Sequence, residues 1–443
     1  MTDRGDGEEC AGIPPVLRRF WVLLAGLTAL SLAFTLIMTY AMGWPYPYGL
    51  PLFHPGEHFR DFTIFDARFE HFRTAMFWDP AQYPFTYPAP VAVVFGLLHA
   101  ISAHALELYL AVVALAFAGG GVLFARALAR RGIRPLVAYA FVATLGLTDW
   151  PFGLMFNQAN MEGVVALALA VGVVAILRER FWLGAALVGV AGAMKLFPLV
   201  LLALLLSKRR YREFAWGFLV AGLTTLGSLW WVGPSIANAQ GHIAEGLDYF
   251  QRSYVLRLDL ADSGLDHSWF VLEKAGILAA YFVRAIVKHQ DMDLTMFLHR
   301  EAGHLGAALQ LYLVAVAVLG VTLYFVWIRS LPMLNQALAL TVCAVLMPPA
   351  SFDYTLVHLL LPVALLCLYA VERWRLGEAP AGLRRCFFWL AVVLTMDAFF
   401  TAEVRYAGQV RSMALTAVLI TALCHPWPSR SLGVGPRTTG AVG

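Results

Sequence analysis

AHALELYLAVVALAFAGGGVLF (Ala103–Phe124) decides how this chain is read. At about 1.5 Å per residue such a run reaches across the hydrocarbon core of a bilayer. It leads directly into Arg126, Arg130, Arg131 and Arg134. A basic turn closing an apolar span marks its cytoplasmic end. Working outward, comparable runs recur at Leu17–Tyr40, Leu136–Trp150, Gly163–Leu177, Phe214–Trp231, Leu305–Ile328, Leu334–Met347, Leu356–Ala370, Phe387–Phe400 and Met413–Leu423. Three more segments leave their status open: Ala89–Ala100, Phe181–Leu206 and Val271–Val287. The pattern predicts an all-α polytopic membrane protein with roughly ten to thirteen spans.

Composition agrees. Hydrophobic residues make up 60% of the chain and charged ones 14%, and mean hydropathy is +0.70. A soluble domain carries about a quarter charged residues. The net charge of +4 is no nucleic-acid signal, because the basic residues sit in short turns between spans, where they report orientation. The five cysteines are scattered singly and show neither metal spacing nor a disulfide framework. Arg18 and Arg19 at the start of the first span predict a cytoplasmic N-terminus. With no small-residue cleavage pattern before it, that span reads as a retained anchor. The expected organisation is a cytoplasmic tail over 1–16, one transmembrane domain over 17–426 with outer loops 42–88 and 233–304, and a cytoplasmic tail over 427–443. Neither loop is large or apolar enough to bury a core of its own.

Phe181–Leu206 is anomalous, being basic at both ends: Arg180 precedes it, and Lys208, Arg209, Arg210 and Arg212 follow. Lys195 lies in its middle, three residues before Pro198. Two half-helices lining a cavity would put both basic clusters on one side. A single tilted span with Lys195 snorkelling to an interface is the other reading. An intramembrane lysine calls for an anionic partner or ligand.

The stretch HPGEHFRDFTIFDARFEHFRTAMFWDPAQYPFTYPAP (His54–Pro90) is the first long polar interval after an apolar helix. Phe62, Phe65, Phe69, Phe72 and Met76 recur at three- and four-residue steps, with Asp66, Glu70 and Arg73 on another face. That spacing predicts an amphipathic helix lying in the membrane interface. Asp61, preceded by Arg60, stands at its start, either as a helix cap or as an ionised catalytic base.

Further polar groups fall on the same predicted side: the turn Phe156–Asn160 with Glu162, the segment Gly264–Trp269 and the turn Pro348–Tyr354. Lys195 points there too if the half-helix reading holds. Cations at the lipid level suit a phosphate whose apolar tail stays in the bilayer. A separate carboxylate suits removal of a proton from an acceptor hydroxyl. Phosphate on a sugar C1 is a good leaving group, so direct displacement needs no second carboxyl acting as an acid.

These residues resemble the polyprenyl-phosphate-sugar-dependent membrane glycosyltransferases of the GT-C superfamily, and among them glycosyltransferase family 87. The resemblance runs from about Arg60 to Ala370. It is carried by DFTIF (Asp61–Phe65), FTYPAP (Phe85–Pro90), NQAN (Asn157–Asn160), GAMKLFP (Gly192–Pro198), DHSWFVLEK (Asp266–Lys274) and SFDYTLVHLLLP (Ser351–Pro362). It implies a GT-C-type bundle in which Asp61 is the catalytic base and Ala89–Ala100 is a true crossing. It also implies an inverting transfer of a hexose, most often mannose, from a polyprenyl-phosphate donor to a lipid or glycan acceptor. Arg60, Lys195, His267, Asp266, Tyr354, Asn160 and Gln158 become the candidate contacts to donor phosphate or sugar. The lipid-linked sugar is a substrate, and the resemblance implies no metal or other cofactor, since Asp61 is followed by Phe62 rather than a second carboxylate. The implied setting is a bacterial cytoplasmic membrane, with the site facing the periplasm or exterior. Partners are then membrane lipids, donor and acceptor, with no nucleic acid. One departure stands out. Where many members carry S-W-x-H-H, this chain reads Ser351, Phe352, Asp353, Tyr354. The competing readings are a lipid-linked polysaccharide ligase or polymerase and a secondary transporter, the latter suggested by the lysine in a broken helix.

Overall fold

The computed structural model describes residues 12–41, 58–78, 84–256, 266–272, 274, 276, 294–395 and 407–428. Throughout these residues the chain is helical. Among them no β-sheet occurs, only an isolated bridge between Asp266 and Phe352. Five segments are long and apolar enough to cross a membrane: Pro15–Phe34, Ala105–Ala129, Tyr211–Val232, Leu305–Ser330 and Asp353–Arg375. Seven shorter apolar helices pack between and beside them. The chain is thus a multispanning membrane bundle, with several predicted spans shorter than a bilayer is thick. Most of the predicted segment Val271–Val287, and most of both tails, fall outside the described residues.

Helix α1 covers Pro15–Leu36. The first loop supplies α2 (Arg60–Thr63) and α3 (Asp66–Phe69), followed by a single 3-10 turn, Ala75–Trp78. This corrects the continuous interfacial helix expected there. The backbone turns left-handed at Phe59 and at Arg73 (φ 59° and 69°), which breaks any regular helix. The aromatic stripe faces protein instead of lipid. Phe62, Phe65, Phe69 and Phe77 are all buried, and they pack with Phe85 and Phe95 in edge-on and tilted pairs.

Helices α4 (Ala89–Ile101) and α5 (Ala105–Ala129) follow. Tyr87, just before α4, and Tyr109, early in α5, both reach the same residue, Asn160. Helix α4, about 20 Å long, is shorter than the hydrocarbon core of a bilayer, and the chain on both sides of it contacts the turn between α7 and α8. Helix α5 then leads into Arg126–Arg134.

Helices α6 (Pro135–Thr148), α7 (Trp150–Asn157), α8 (Glu162–Leu177) and α9 (Phe181–Met194) continue the bundle. After α9 the chain reverses. Lys195 is extended (φ −146°, ψ 135°), and a 3-10 turn, Phe197–Leu202, leads into α10 (Ala203–Ser207). A Cβ on Gly192 would lie 2.3 Å from Leu199 Cδ2, which a straight helix could not bring so near across seven residues. The hairpin answers the charge anomaly, because the Arg210 guanidinium lies over the Phe181 ring (4.5 Å), so both feet stand together. Each arm is about 20 Å long, which lifts Lys195 well into the bundle.

Helix α11 (Tyr211–Val232) packs on this hairpin through small residues. A Cβ on Gly189 would sit 2.4 Å from the Gly217 carbonyl oxygen, and one on Gly184 would sit 2.8 Å from that of Gly172. Backbone-to-backbone approach of this kind is how apolar helices gain packing where water supplies no drive. Next come α12 (Ile236–Phe250), α13 (Leu294–Val326), α14 (Met333–Leu346), α15 (Leu360–Arg375), α16 (Leu383–Leu394) and α17 (Ala407–Cys424). Helix α14 is the centre: every residue from Leu334 to Leu346 is buried. Three of its residues are polar: Asn335 donates to the Ala422 and His425 carbonyls, the Gln336 amide nitrogen to those of Arg329 and Leu331, and the Thr341 hydroxyl to that of Ala337.

Candidate functional site

The first loop and the α7–α8 turn are laced together by backbone. Phe59 N donates to Asn157 O (2.7 Å) and Asp61 N to Gln158 O (3.2 Å). Gln158 thus contributes its carbonyl to this joint. Asp61 does not cap its helix: the N-cap is Phe59, with no side-chain cap bond. Its carboxylate accepts from Asn160 Nδ2 instead, at 2.5 Å. Asn160 is held in one orientation, since its Oδ1 accepts from Glu162 N (2.9 Å) and its carbonyl from the Tyr109 hydroxyl. The same Nδ2 lies 3.2 Å from the Tyr87 hydroxyl. Burial pushes the Asp61 carboxyl up from its ordinary value; the Asn160 hydrogen bond and the charges of Lys195 and Arg60 pull it back. Arg60 is exposed beside it.

Two residues past Asn160 lies Glu162, fully buried at the start of α8. Its two oxygens divide between Lys195 Nζ and His358 Nε2. The lysine at the hairpin apex thus has an anionic partner. Its ammonium also stands 5.1 Å above the Tyr354 ring. Asp61, Asn160, Lys195 and Tyr354 are therefore brought together from four separate stretches of chain, with Glu162 and His358 as the buried link.

Asp266 and His267 belong to a second network. Asp266 Oδ1 accepts from the Ser268 and Ser351 amides, and Oδ2 lies 3.9 Å from Lys274 Nζ. The His267 amide donates to Ser351 O, and its Nε2 is 3.1 Å from the Ser351 hydroxyl. Asp353 pairs with Arg411, faces His267 Nδ1 across 3.5 Å and accepts from Trp150 Nε1 at 3.3 Å. All of these groups except the Trp150 ring are deeply buried. They fix the turn before the 3-10 segment Asp353–Leu359, and that segment carries Tyr354 and His358 into the first network.

Sequence reading missed His358 and Arg411. His358 stands one turn beyond Tyr354 in SFDYTLVH, and its signal was an imidazole inside an apolar run. Arg411 falls just before the span expected over Met413–Leu423; the helix begins at Ala407, which makes Arg411 an internal cation. Among the described residues no three His, Cys, Asp or Glu side chains gather as a metal site.

A model of glycosyltransferase family 87 matches residues 85–351, well over half of the 443 residues. The match opens at the FTYPAP element and includes Asn160, Glu162, Lys195, Asp266 and His267. It does not reach Asp61, Tyr354 or His358. No curated protein and no solved structure matches the chain.

Proposed function

Because the chain belongs to glycosyltransferase family 87 of the GT-C superfamily, we propose that it moves a hexose from a polyprenyl-phosphate donor to a lipid or glycan hydroxyl by direct displacement with inversion. The observation that carries this reading is the pairing of a half-buried Asp61, its carboxyl raised by burial, with the Lys195 ammonium held at Glu162. Asp61 takes the proton of the acceptor hydroxyl as that oxygen bonds to the sugar C1. The bond from C1 to the phosphate oxygen breaks and the phosphate leaves with the electron pair. Its added negative charge falls to Lys195, whose own charge Glu162 offsets in the resting site, while His358 holds the other Glu162 oxygen. Asn160 aims Asp61, and Tyr354 bounds the space beside Lys195. The Asp266–His267–Asp353–Arg411 network positions the turn rather than touching the substrate.

The arginine-rich end then faces the cytoplasm and Asp61 opens to the outer face of the membrane, following the bias of basic turns. Mannose is the first donor to test. Purified protein supplied with radiolabelled polyprenyl-phosphate mannose and a panel of lipid acceptors, beside Asp61→Asn, tests the reaction and the base together. A secondary transporter also suits a buried Lys–Glu pair at a re-entrant hairpin. That reading predicts donor binding with no labelled product in any acceptor.

A further inference from the structure

One histidine near the site is held in a manner the transfer chemistry does not require. His99, in the last turn of α4, is stacked between two rings of the first loop. Phe62 lies at 5.8 Å with planes 16° apart, and Phe69 at 5.0 Å and 20°. Its Nδ1 is 2.9 Å from the Phe95 carbonyl oxygen and its Nε2 is 2.8 Å from Asp66 Oδ1. A carbonyl oxygen only accepts, so Nδ1 carries a proton. The contact between Nε2 and a carboxylate oxygen needs a second one. Both ring nitrogens are engaged, and the two stacked phenyl rings offer π faces that suit a cationic ring. Phe62 directly follows Asp61 and Asp66 begins α3, so one ring ties both short helices of the loop to α4.

We propose that His99 is a positioning residue, a protonated clamp that binds Asp66 and the Phe62 and Phe69 rings to α4 and thereby sets the place of Asp61. The proposal rests on Asp61 being the base. The titratable and charged groups on the elements around it are Asp66 and Arg68 on α3, Arg60 and Asp61 on α2, Glu70, His71 and Arg73 beyond α3, Glu107, Tyr109 and Arg126 on α5 with His104 before it, and Tyr211, Arg212 and Glu213 on α11. Among the described residues, Asp66 is the one bonded to the ring. Loss of the clamp proton removes one of two hydrogen bonds, so loosening occurs as pH rises.

The test compares the full-length wild type with His99→Gln and His99→Arg in detergent. Hydrogen exchange over residues 59–70 and kcat and KM for the donor are followed from about pH 6 to pH 9. Loop protection and kcat of the wild type fall together toward alkaline pH. His99→Gln loses about tenfold in kcat at neutral pH with donor KM held, and its loop exchanges fast at every pH. His99→Arg, whose charge is permanent, keeps loop protection to the alkaline end. Exchange in His99→Gln matching the wild type, or exchange in wild type and His99→Arg varying alike with pH, overturns the clamp. Exchange involves no chemistry, so it separates the two readings: full transfer by Asp61→Asn removes the base, whereas unchanged loop exchange removes the clamp.

Discussion

Replacing Glu162 by Gln perturbs the site at its most exacting point. Glu162 is wholly buried, Lys195 is 19% exposed in its side chain, and His358 bonds the other carboxylate oxygen. Gln keeps the shape and removes the charge, which leaves an ammonium in low dielectric without the carboxylate bonded to it, and only the more distant Asp61 to offset it. Breaking one side of a buried pair costs about 3–5 kcal/mol, whereas removing both charges is close to neutral. Glu162→Gln therefore loses about 3 kcal/mol or more, and the double variant with Lys195→Met regains most of it. The coupling between the two positions is on the order of 2–4 kcal/mol. At roughly 1 °C per kcal/mol for a chain of 443 residues, the single variant unfolds about 3 °C or more below the wild type and the double returns to within about 1 °C. Intrinsic-fluorescence melting in one detergent, at a fixed scan rate because membrane-protein unfolding is often irreversible, measures this. A single variant that melts with the wild type, or a double variant worse than the sum of its parts, refutes the buried-pair reasoning. The double variant should still lack transfer activity, which separates the fold from the chemistry.

Asp61→Asn should lower kcat by about two to four orders of magnitude while donor binding persists, the usual loss for a general base; a rate near wild type would rule it out as the base. The base must be ionised, and burial raises its carboxyl, so kcat/KM should fall on acidification at a pH above that of an ordinary carboxylate. Asn160→Ala removes the bond that lowers it, and the acid limb should move higher still in a pH–rate profile; an unmoved limb would contradict the contact. Gly189→Ala drives a methyl to 2.4 Å from the Gly217 carbonyl oxygen, a backbone atom that cannot rotate away. It should cost about 1–3 kcal/mol in the same melting assay. Gly227→Ala, which meets open space, should cost far less.

Hydropathy and arginine placement were enough to read a helical membrane bundle, because a bilayer forces long apolar helices and their charges report sidedness. The doubly basic flanks of Phe181–Leu206 announced the hairpin, since charge cannot be hidden in lipid. Periodicity failed in the first loop. A three- and four-residue aromatic repeat fits one helix, yet Phe59 and Arg73 turn left-handed and bury the rings against α4. Nothing local encodes that outcome; it follows from a protein surface available to pack on.

The candidate site divides the same way. Asp61, Lys195, Asn160 and Tyr354 were legible as polar residues in costly places. Their joining through Glu162 and His358 was not, because it links α8, the hairpin apex and the 3-10 turn across 33 and 196 residues. Sequence determined which groups water would not reach and which end of each span they occupy. Only the tertiary structure decided which charge neutralises which, because ion pairing depends on distances of a few ångströms that the packing of distant helices sets.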